Sequence, residues 1–232
     1  MFDGALLVDK PSDWTSHDVV AKIRGRFQFP KVGHCGTLDP MATGLLVIVL
    51  GKGTKLSNNL MGDDKRYEGE MTLGVETSTY DAEGEILENR LVPPLTEGEI
   101  REGFRGFTGD QYQIPPMVSA IKIKGQPLYK MARKGEEVER EPRFIHVYEL
   151  RLLSMALPRI EFDLFCTKGT YVRSLAHDLG QKLGCGAHLS RLRRTQSGKF
   201  RVVDALPLAE LIGMSADQVE ARVIPLHALG GT

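Results

Sequence analysis

The sequence has no long hydrophobic run. Its longest apolar stretch, GLLVIVL at residues 44–50, is far shorter than the roughly 20 residues that cross a bilayer. The N-terminus, MFDGALLVDK, has no basic segment ahead of a long apolar stretch and so does not resemble a secretory signal. We therefore expect a soluble cytoplasmic protein with no membrane association.

Cysteine is scarce. Cys35, Cys166 and Cys185 are odd in number and widely spaced, without a C-x-x-C pair, so neither a disulfide framework nor a zinc knuckle is indicated. The six histidines are scattered, and the adjacent pair His34–Cys35 has poor geometry for chelation by both side chains. We expect three reduced thiols and no metal site.

Several catalytic and cofactor signatures are also missing. The sequence contains no G-x-G-x-x-G, no G-x-x-x-x-G-K-[ST], no H-E-x-x-H and no G-x-S-x-G. Dinucleotide sites, phosphate-binding loops, helical zinc sites and serine-hydrolase elbows therefore lack their usual signals. We expect no cofactor.

What the chain does have is enough apolar material for one substantial core, and an uneven distribution of charge. It has 232 residues, of which 41% are hydrophobic, and its formal net charge is zero. Residues 168–201 nevertheless carry a net charge of +7, whereas residues 63–110 carry −8. A basic segment of this kind suits a face that meets phosphates, although ordinary solvated surface explains the charges equally well.

Hydrophobic periodicity predicts strands and helices without strict βαβ repetition. Helices are predicted where apolar residues recur every three to four positions, twice after a capping-box spacing (Thr15 with Asp18, Thr96 with Glu99). The predicted strands are residues 5–10, 45–51, 66–74 and 159–166, and the predicted helices are residues 15–27, 54–61, 96–105 and 170–184. This order predicts an α+β fold with a mixed, largely antiparallel central sheet flanked by helices.

Two segments interrupt this pattern. Residues 111–143 combine prolines, glycines and dense mixed charge, which is typical of a connector and also suits a loop that closes over a ligand. Residues 33–44, GHCGTLDPMATG, are interpreted as one tight loop between apolar stretches. On local sequence alone, Asp39 before Pro40 is more typical of a turn than of a catalytic site.

Five ordered stretches change that interpretation. They are VDKPSDWTSHDVV, GHCGTLDPMATGLLVIVLGKGTKL, DKRYEGEMTLGVETSTYDAEGE, IPPMVSAIKIKGQPLYKMARKG and TKGTYVRSLAHDLGQKLGCGAHLSRLRRTQSGKF. Together, over about residues 5–205, they resemble the successive motifs of the bacterial tRNA pseudouridine-55 synthase family, TruB. The resemblance implies a pseudouridine synthase fold and the isomerisation of a uridine in the T-loop of tRNA to pseudouridine, without a cofactor.

The resemblance also assigns catalytic roles. Asp39 matches the family's catalytic aspartate, Arg173 the arginine that pairs with it, and Tyr67 the active-site tyrosine. A carboxylate can labilise a glycosidic bond by attacking the sugar or base, or by stabilising positive charge at the sugar carbon C1′. An arginine suits the task of keeping such a carboxylate ionised and in place.

Other residues match RNA-binding positions of the family. His34 resembles the histidine that fills the space left by the flipped uridine, and Tyr171 and Leu192 match positions that line the uracil pocket. The basic residues that become candidate phosphate contacts are Lys10, Arg66, Lys130, Arg133, Arg191, Arg193 and Arg194. Residues 111–143 correspond to an RNA-gripping loop. The implied partner is the T-arm stem-loop of tRNA, bound by a monomer that requires no protein partner.

The chain departs from the family pattern in places. Asp13 and Trp14 replace a common glycine and its neighbour, Cys35 a common threonine, and Val118 a common tyrosine. The sequence also ends soon after the last motif, without room for the small RNA-binding PUA domain of many members. We therefore expect a single catalytic domain over residues 1–232 that binds an isolated T-arm hairpin nearly as tightly as whole tRNA.

Two other functions remain open from the sequence. One is a non-catalytic RNA-binding or tRNA-folding module, and the other is a pseudouridine synthase that acts on another RNA. The joint presence of Asp39, Tyr67 and Arg173 favours an enzyme, because a pure RNA binder has no need of a carboxylate near phosphates.

Overall fold

A computed structural model describes residues 2–119, 121–123, 125–132, 134–136 and 138–229. Inter-residue contacts divide the chain into two compact units. Unit 1 comprises Met1–Tyr67 and Leu192–Thr232, and unit 2 comprises Glu68–Arg191. The prediction of one catalytic domain over the whole chain stays a prediction.

Eight α-helices and fifteen strands lie within the described ranges. The helices are α1 (Ser16–Phe27), α2 (Ser57–Met61), α3 (Glu97–Arg105), α4 (Leu128–Ala132), α5 (Val172–Lys182), α6 (Leu208–Gly213), α7 (Ala216–Glu220) and α8 (Leu226–Leu229). The strands are β1 (Gly4–Lys10), β2 (Val32–Cys35), β3 (Thr43–Leu50), β4 (Lys65–Leu73), β5 (Val75–Thr77), β6 (Ile86–Asn89), β7 (Gly109–Gln113), β8 (Lys122–Ile123), β9 (Gln126–Pro127), β10 (Arg143–Ala156), β11 (Arg159–Cys166), β12 (Ala187–Ser197), β13 (Phe200–Arg201), β14 (Leu206–Pro207) and β15 (Ile224–Pro225).

Unit 1 is built on β1 and β3. These strands pair antiparallel along their whole length, from Gly4 opposite Leu50 to Lys10 opposite Gly44. Strand β2 pairs antiparallel with the C-terminal half of β3, from Val32 opposite Leu50 to Cys35 opposite Val47. Strand β12 runs parallel to β3 where Arg193 lies opposite Thr43. The near-continuous apolar sequence of β3 is explained by its burial on both faces, because all of its residues from Gly44 to Leu50 are buried.

Unit 2 contains a long antiparallel pair, β10 with β11, and β7 pairs antiparallel with the start of β10. Along β11 the apolar residues Ile160, Phe162 and Leu164 are buried, as their alternation predicts. Asp163 is buried as well, and its carboxylate accepts a 2.9 Å bond from Arg151. Parallel pairs occur at β1–β14 and β3–β12, while the other pairings described here are antiparallel. The predicted α+β fold with a mixed, largely antiparallel sheet is confirmed.

The predicted helix starts are confirmed where a capping box marked them. Thr15 and Asp18 form a reciprocal capping box at the start of α1, and Thr96 and Glu99 do so at α3. The segment predicted as a short helix at residues 54–61 forms a 3-10 turn, Gly51–Leu56, followed by α2.

The prediction of one loop over residues 33–44 is wrong at both ends. His34 and Cys35 belong to β2, which pairs with β3, and β3 already begins at Thr43. Val32–Cys35 is short and its burial does not alternate. The strand forms by pairing with β3. The loop proper is residues 36–42, with Asp39 at its centre.

Candidate active site

Asp39 lies half-buried in a loop that main-chain bonds close. The Ala42 N–H donates to the Asp39 carbonyl over 3.1 Å, so the turn needs the backbone of Asp39. The residues on both sides of Asp39, Leu38 and Pro40, are anchored by residues of β1, of the segment after β1, and of α1. The loop therefore holds the Asp39 main chain in one conformation, as a catalytic site requires.

The anchor before Asp39 is Ser16, the first residue of α1. Its hydroxyl is buried, accepts from the Leu38 N–H over 2.9 Å and donates to the Leu38 carbonyl over 3.2 Å. Both main-chain polar groups of the residue preceding Asp39 are thereby satisfied by a single side chain.

The anchor after Asp39 comes from Lys10 and Asp13. The Lys10 ammonium donates to the carbonyls of Pro11, Trp14 and Pro40 at 2.9, 2.5 and 3.1 Å, and the Asp13 N–H donates to the Pro40 carbonyl at 2.9 Å. The side chain of Lys10 is 0% exposed. The prediction that Lys10 contacts phosphate is therefore wrong, because its cation is directed inward and bonded to main-chain oxygens of the loops around Asp39.

Asp13 stands where the family pattern commonly has glycine. It takes φ +65°, in the left-handed region that glycine favours and that aspartate tolerates better than most residues. Its N–H consequently still points at Pro40. Asp13 therefore adopts a backbone conformation that glycine also favours.

Arg194 links the start of the Asp39 loop to β3. Its guanidinium donates to the Leu45 carbonyl at 2.7 Å and to the Gly36 carbonyl at 3.1 Å, and the residue is only 1% exposed. The predicted phosphate contact of Arg194 is therefore wrong. The buried guanidinium instead stabilises the structure by binding the carbonyl of Gly36, next to β2, and that of Leu45 in β3.

A second buried cation, Lys65 at the start of β4, lies beside Arg194. Its ammonium donates to the carbonyls of Met61 and Asp63. Burial and the nearby Arg194 charge lower the pKa of Lys65 to about 8. The neighbouring thiol of Cys35 is shielded from solvent, and burial raises its pKa to about 11, so it stays protonated and unreactive at neutral pH.

His34 projects from β2 next to an exposed histidine of α1. The ring of His17 stands edge-on to the His34 ring, with centroids 5.4 Å apart and planes at 76°. Burial lowers the pKa of His34 to about 4, helped by the positive charges of His17 and Arg194. His34 is therefore a neutral, partly exposed ring on β2, just before the Asp39 loop.

The remaining predicted residues of unit 1 lie on two strands. Tyr67 is buried on β4, and Leu192 is buried on β12. Arg193 is half-exposed, and its two terminal nitrogens hold both carboxylate oxygens of Asp9 at 3.0 and 2.6 Å. Any RNA phosphate at Arg193 has to share the guanidinium with Asp9, so the phosphate contact stays a prediction.

Unit 2 contains Arg173 and Tyr171 at the start of α5. Arg173 is buried, donates to the carbonyls of Thr79 at 3.0 Å and Val118 at 2.8 Å, and lies 3.4 Å from the carboxylate of Asp81. The bond to Val118 is made by the main chain, so valine in place of the family's tyrosine does not remove it. The predicted pairing of Arg173 with Asp39 stays a prediction.

Asp81 is a polar residue that the sequence did not single out. Its carboxylate accepts from the Thr79 hydroxyl at 2.5 Å and the Glu83 N–H at 3.0 Å, while its other oxygen faces Arg173. Only its position in the stretch TSTYDAEGE, within one of the ordered motifs, could have drawn attention to it.

Tyr171 is held through its main chain. The Gln113 amide of β7 donates to the Tyr171 carbonyl and accepts from its N–H, at 3.0 and 2.7 Å. This clamp fixes the start of α5, on which Arg173 stands two residues later.

The structure also bears on Arg133, on metal sites and on membrane-spanning helices. Arg133 lies outside the described residues. In the ranges described, no group of three or more His, Cys, Asp or Glu residues is arranged to hold a metal ion. No helix among those residues has both the length and the apolar composition to cross a membrane.

Comparison with known proteins identifies relatives over the whole chain. The model of the TruB family pseudouridylate synthase N-terminal domain matches residues 24–172, and that of the tRNA pseudouridylate synthase B C-terminal domain matches residues 173–229. A tRNA pseudouridine synthase B of Opitutus terrae is 57% identical over 97% of this chain and 93% of its own length. A protein of the same name from Burkholderia pseudomallei is 46% identical over 99% of this chain and 76% of its own length.

Solved structures show the same fold. A chain of a Cbf5-Nop10-Gar1 complex superposes with a TM-score of 0.77 at 29% identity, covering 98% of this chain and 61% of that one. A chain of an archaeal box H/ACA sRNP Nop10-Cbf5 complex gives 0.74 at 26% identity, with 98% and 61% coverage. This chain thus spans about three fifths of the length of those solved chains.

Proposed function

Because the chain belongs to the TruB family of pseudouridylate synthases, we propose that its Asp39 loop carries the reacting group. The protein is a tRNA pseudouridine synthase, an isomerase that converts a uridine in the T-loop of tRNA to pseudouridine. The observation that supports a catalytic Asp39 is the pair of anchors on its two neighbouring residues, Leu38 and Pro40.

The reaction needs a labile glycosidic bond but no oxidant or energy source. Uracil leaves the sugar at its N1–C1′ bond, turns, and rejoins through C5, while the hydrogen from C5 is released to solvent and N1 gains a proton. A fixed carboxylate promotes departure of the base by bonding to it or to the sugar, or by stabilising the charge at C1′. We assign this role to Asp39.

Two further residues are proposed to act with it. Arg173 supplies a guanidinium that keeps a carboxylate ionised, and Asp81 holds that guanidinium in a buried ion pair. Tyr67 contributes an aromatic face for the target base and a phenol that can transfer a proton. Leu192 and Tyr171 are proposed to line the pocket that receives the base.

His34 is proposed to occupy the space that the flipped uridine leaves. A neutral ring stacks on bases without requiring a counter-charge, and the lowered pKa of His34 keeps the ring neutral at physiological pH. We expect His34→Ala to weaken productive RNA binding chiefly, whereas Asp39→Ala abolishes chemistry and leaves binding largely intact.

The partner is proposed to be the T-arm stem-loop, bound by a cytoplasmic monomer that needs no second protein. Arg193, Arg191 and Arg66 are the candidate phosphate contacts that the structure leaves at least partly accessible. Residues 111–143, which include Arg133, are proposed to grip the RNA as the family's corresponding segment does.

Release of tritium tests this assignment. A T-arm stem-loop carrying tritium at uridine C5 is incubated with the wild-type protein, with Asp39→Asn and with Asp204→Asn, an exposed carboxylate in a 3-10 turn. We expect the wild type and Asp204→Asn to release tritium at similar rates and Asp39→Asn to release none. Release by Asp39→Asn at the wild-type rate would return Asp39 to the role of a turn residue, and no release by the wild type would contradict the substrate.

A further inference from the structure

Ser16 makes an unusually complete contact with the residue before Asp39. Its side chain is 1% exposed, and its single hydroxyl serves both the N–H and the C=O of Leu38. The carbonyl of Leu38 belongs to the peptide that joins Leu38 to Asp39. Ser16 therefore fixes the orientation of the Leu38–Asp39 peptide plane, which contains the Asp39 Cα.

The residue after Asp39 is fixed independently. Lys10 and the Asp13 N–H both bind the Pro40 carbonyl, and the ring of Pro40 itself restricts φ. Asp39 thus stands between two anchored residues, Leu38 and Pro40. Because the second anchor persists without Ser16, removing the Ser16 hydroxyl frees one end of the Asp39 residue without dismantling the loop.

We propose that Ser16 is a positioning residue for the Asp39 carboxylate. The inference rests on the proposed role of Asp39 and adds that the N-terminus of α1 determines the angle at which this carboxylate meets the target nucleotide. Ser16 touches no reacting atom. Its loss should lower the rate of the chemical step and leave RNA affinity unchanged, because misplacement of a reacting group affects the transition state more than binding.

The chain offers a matched control. Ser57 is the first residue of α2, as Ser16 is of α1, and its hydroxyl donates to the Thr54 carbonyl over 2.9 Å. Ser57→Ala removes a hydroxyl from the same position of another helix in unit 1, with no contact to the Asp39 loop among the bonds described for Ser57.

The experiment compares Ser16→Ala, Ser16→Cys and Ser57→Ala with the wild type in single turnovers of tritium-labelled T-arm RNA. We expect Ser16→Ala to lower the rate at saturating RNA by about 10- to 100-fold while the dissociation constant stays within about threefold. Ser16→Cys keeps the volume but bonds weakly, so its rate should lie between those of serine and alanine. Ser57→Ala should react within about twofold of the wild type.

Hydrogen exchange provides a readout that does not depend on activity. The amide of Leu38 should exchange faster in Ser16→Ala than in the wild type, and it should be unaffected in Ser57→Ala. If Ser16→Ala does not fold, the same two measurements on Ser16→Cys decide the question, because the thiol fills the cavity.

Two results would overturn the inference. One is a saturating rate for the folded Ser16 variants equal to that of Ser57→Ala, and the other is a loss that appears only in the dissociation constant. Asp39→Asn is run beside them. If Asp39→Asn is inactive while Ser16→Ala reacts at the wild-type rate, only the positioning role fails, whereas an active Asp39→Asn removes the proposed function itself.

Discussion

His34 provides a prediction whose size follows from its surroundings. Burial, with the charges of His17 and Arg194, lowers its pKa to about 4 in the folded protein, against an ordinary value of 6.5. Between these two pH values the unfolded chain takes up a proton on His34 and the folded chain does not. The contribution of His34 to the free energy of unfolding is therefore fully present above pH 6.5 and is lost progressively as the pH falls towards 4.

The loss can be worked out at a convenient pH. With these two pKa values, proton linkage costs about 2 kcal/mol of unfolding free energy at pH 5 and almost nothing at pH 7.5. Because the His34 ring is only partly buried, solvent screening reduces the expected cost to about 1 kcal/mol. His34→Gln has no titrating ring and should escape this cost.

Urea unfolding of the wild type and His34→Gln at pH 7.5 and pH 5.0 measures the effect. We expect the wild type to lose about 1 kcal/mol more than His34→Gln between these pH values. The contributions of the other titrating groups cancel in the difference. His227→Gln, in α8, is the matched control and should lose as much as the wild type. Equal losses for wild type and His34→Gln would show that His34 is solvated and able to carry charge at the loop.

Asp81→Asn should reduce the free energy of unfolding in urea by about 3 kcal/mol, because it removes the carboxylate charge that lies 3.4 Å from the buried Arg173 guanidinium; an unchanged midpoint would show that the ion pair contributes nothing. Gly44→Ala should be far more damaging, since its Cβ would lie 2.3 Å from the Arg194 carbonyl oxygen at φ +99°, and we expect a loss above about 3 kcal/mol or insoluble protein. Gly25→Ala, where the added Cβ meets nothing within 4 Å, should instead gain about 0.5–1 kcal/mol, and a loss there would refute the contact-based reasoning.

The parts of the fold that were predictable are those with local causes. The capping boxes at Thr15 and Thr96 mark helix starts because the side chain and the N–H groups it satisfies lie within one turn. The buried run of β3 is recognisable for a similar reason, as seven consecutive positions share one environment. Strand β2 was missed because its four residues carry no period and depend on a partner nearby.

The long strands β10 and β12 were missed for a different reason. Strand β12, Ala187–Ser197, carries basic residues at alternate and adjacent positions, which resemble a solvated surface segment. Its residues lie in a sheet, and one of its guanidinium groups is fully buried against carbonyls far away in sequence. Such burial depends on unsatisfied main-chain oxygens elsewhere, which a single sequence does not display.

In the candidate site too, some features were predictable from the sequence and others were not. The family resemblance assigned Asp39, Tyr67 and Arg173 by position in ordered motifs, but it could not distinguish basic residues that face RNA from those that hold the loop. The resemblance predicts that Lys10 and Arg194 contact RNA phosphates, whereas both side chains bind main-chain carbonyls of the protein. The difference is one of side-chain direction, which the residue type does not determine.

The arginines of the basic segment at residues 168–201 also make contacts within the protein. Arg173 and Arg194 are buried against carbonyls, Arg193 holds Asp9, and Arg191 lies 2.5 Å from Glu161. Much of the excess positive charge therefore goes into fixing main-chain oxygens and a few carboxylates. An enzyme that needs an immobile carboxylate in a short loop has to satisfy the exposed carbonyls of that loop, and buried cations do so with several donors each. Within this segment Arg194 does so for the Asp39 loop, since its guanidinium binds the carbonyls of Gly36 and Leu45.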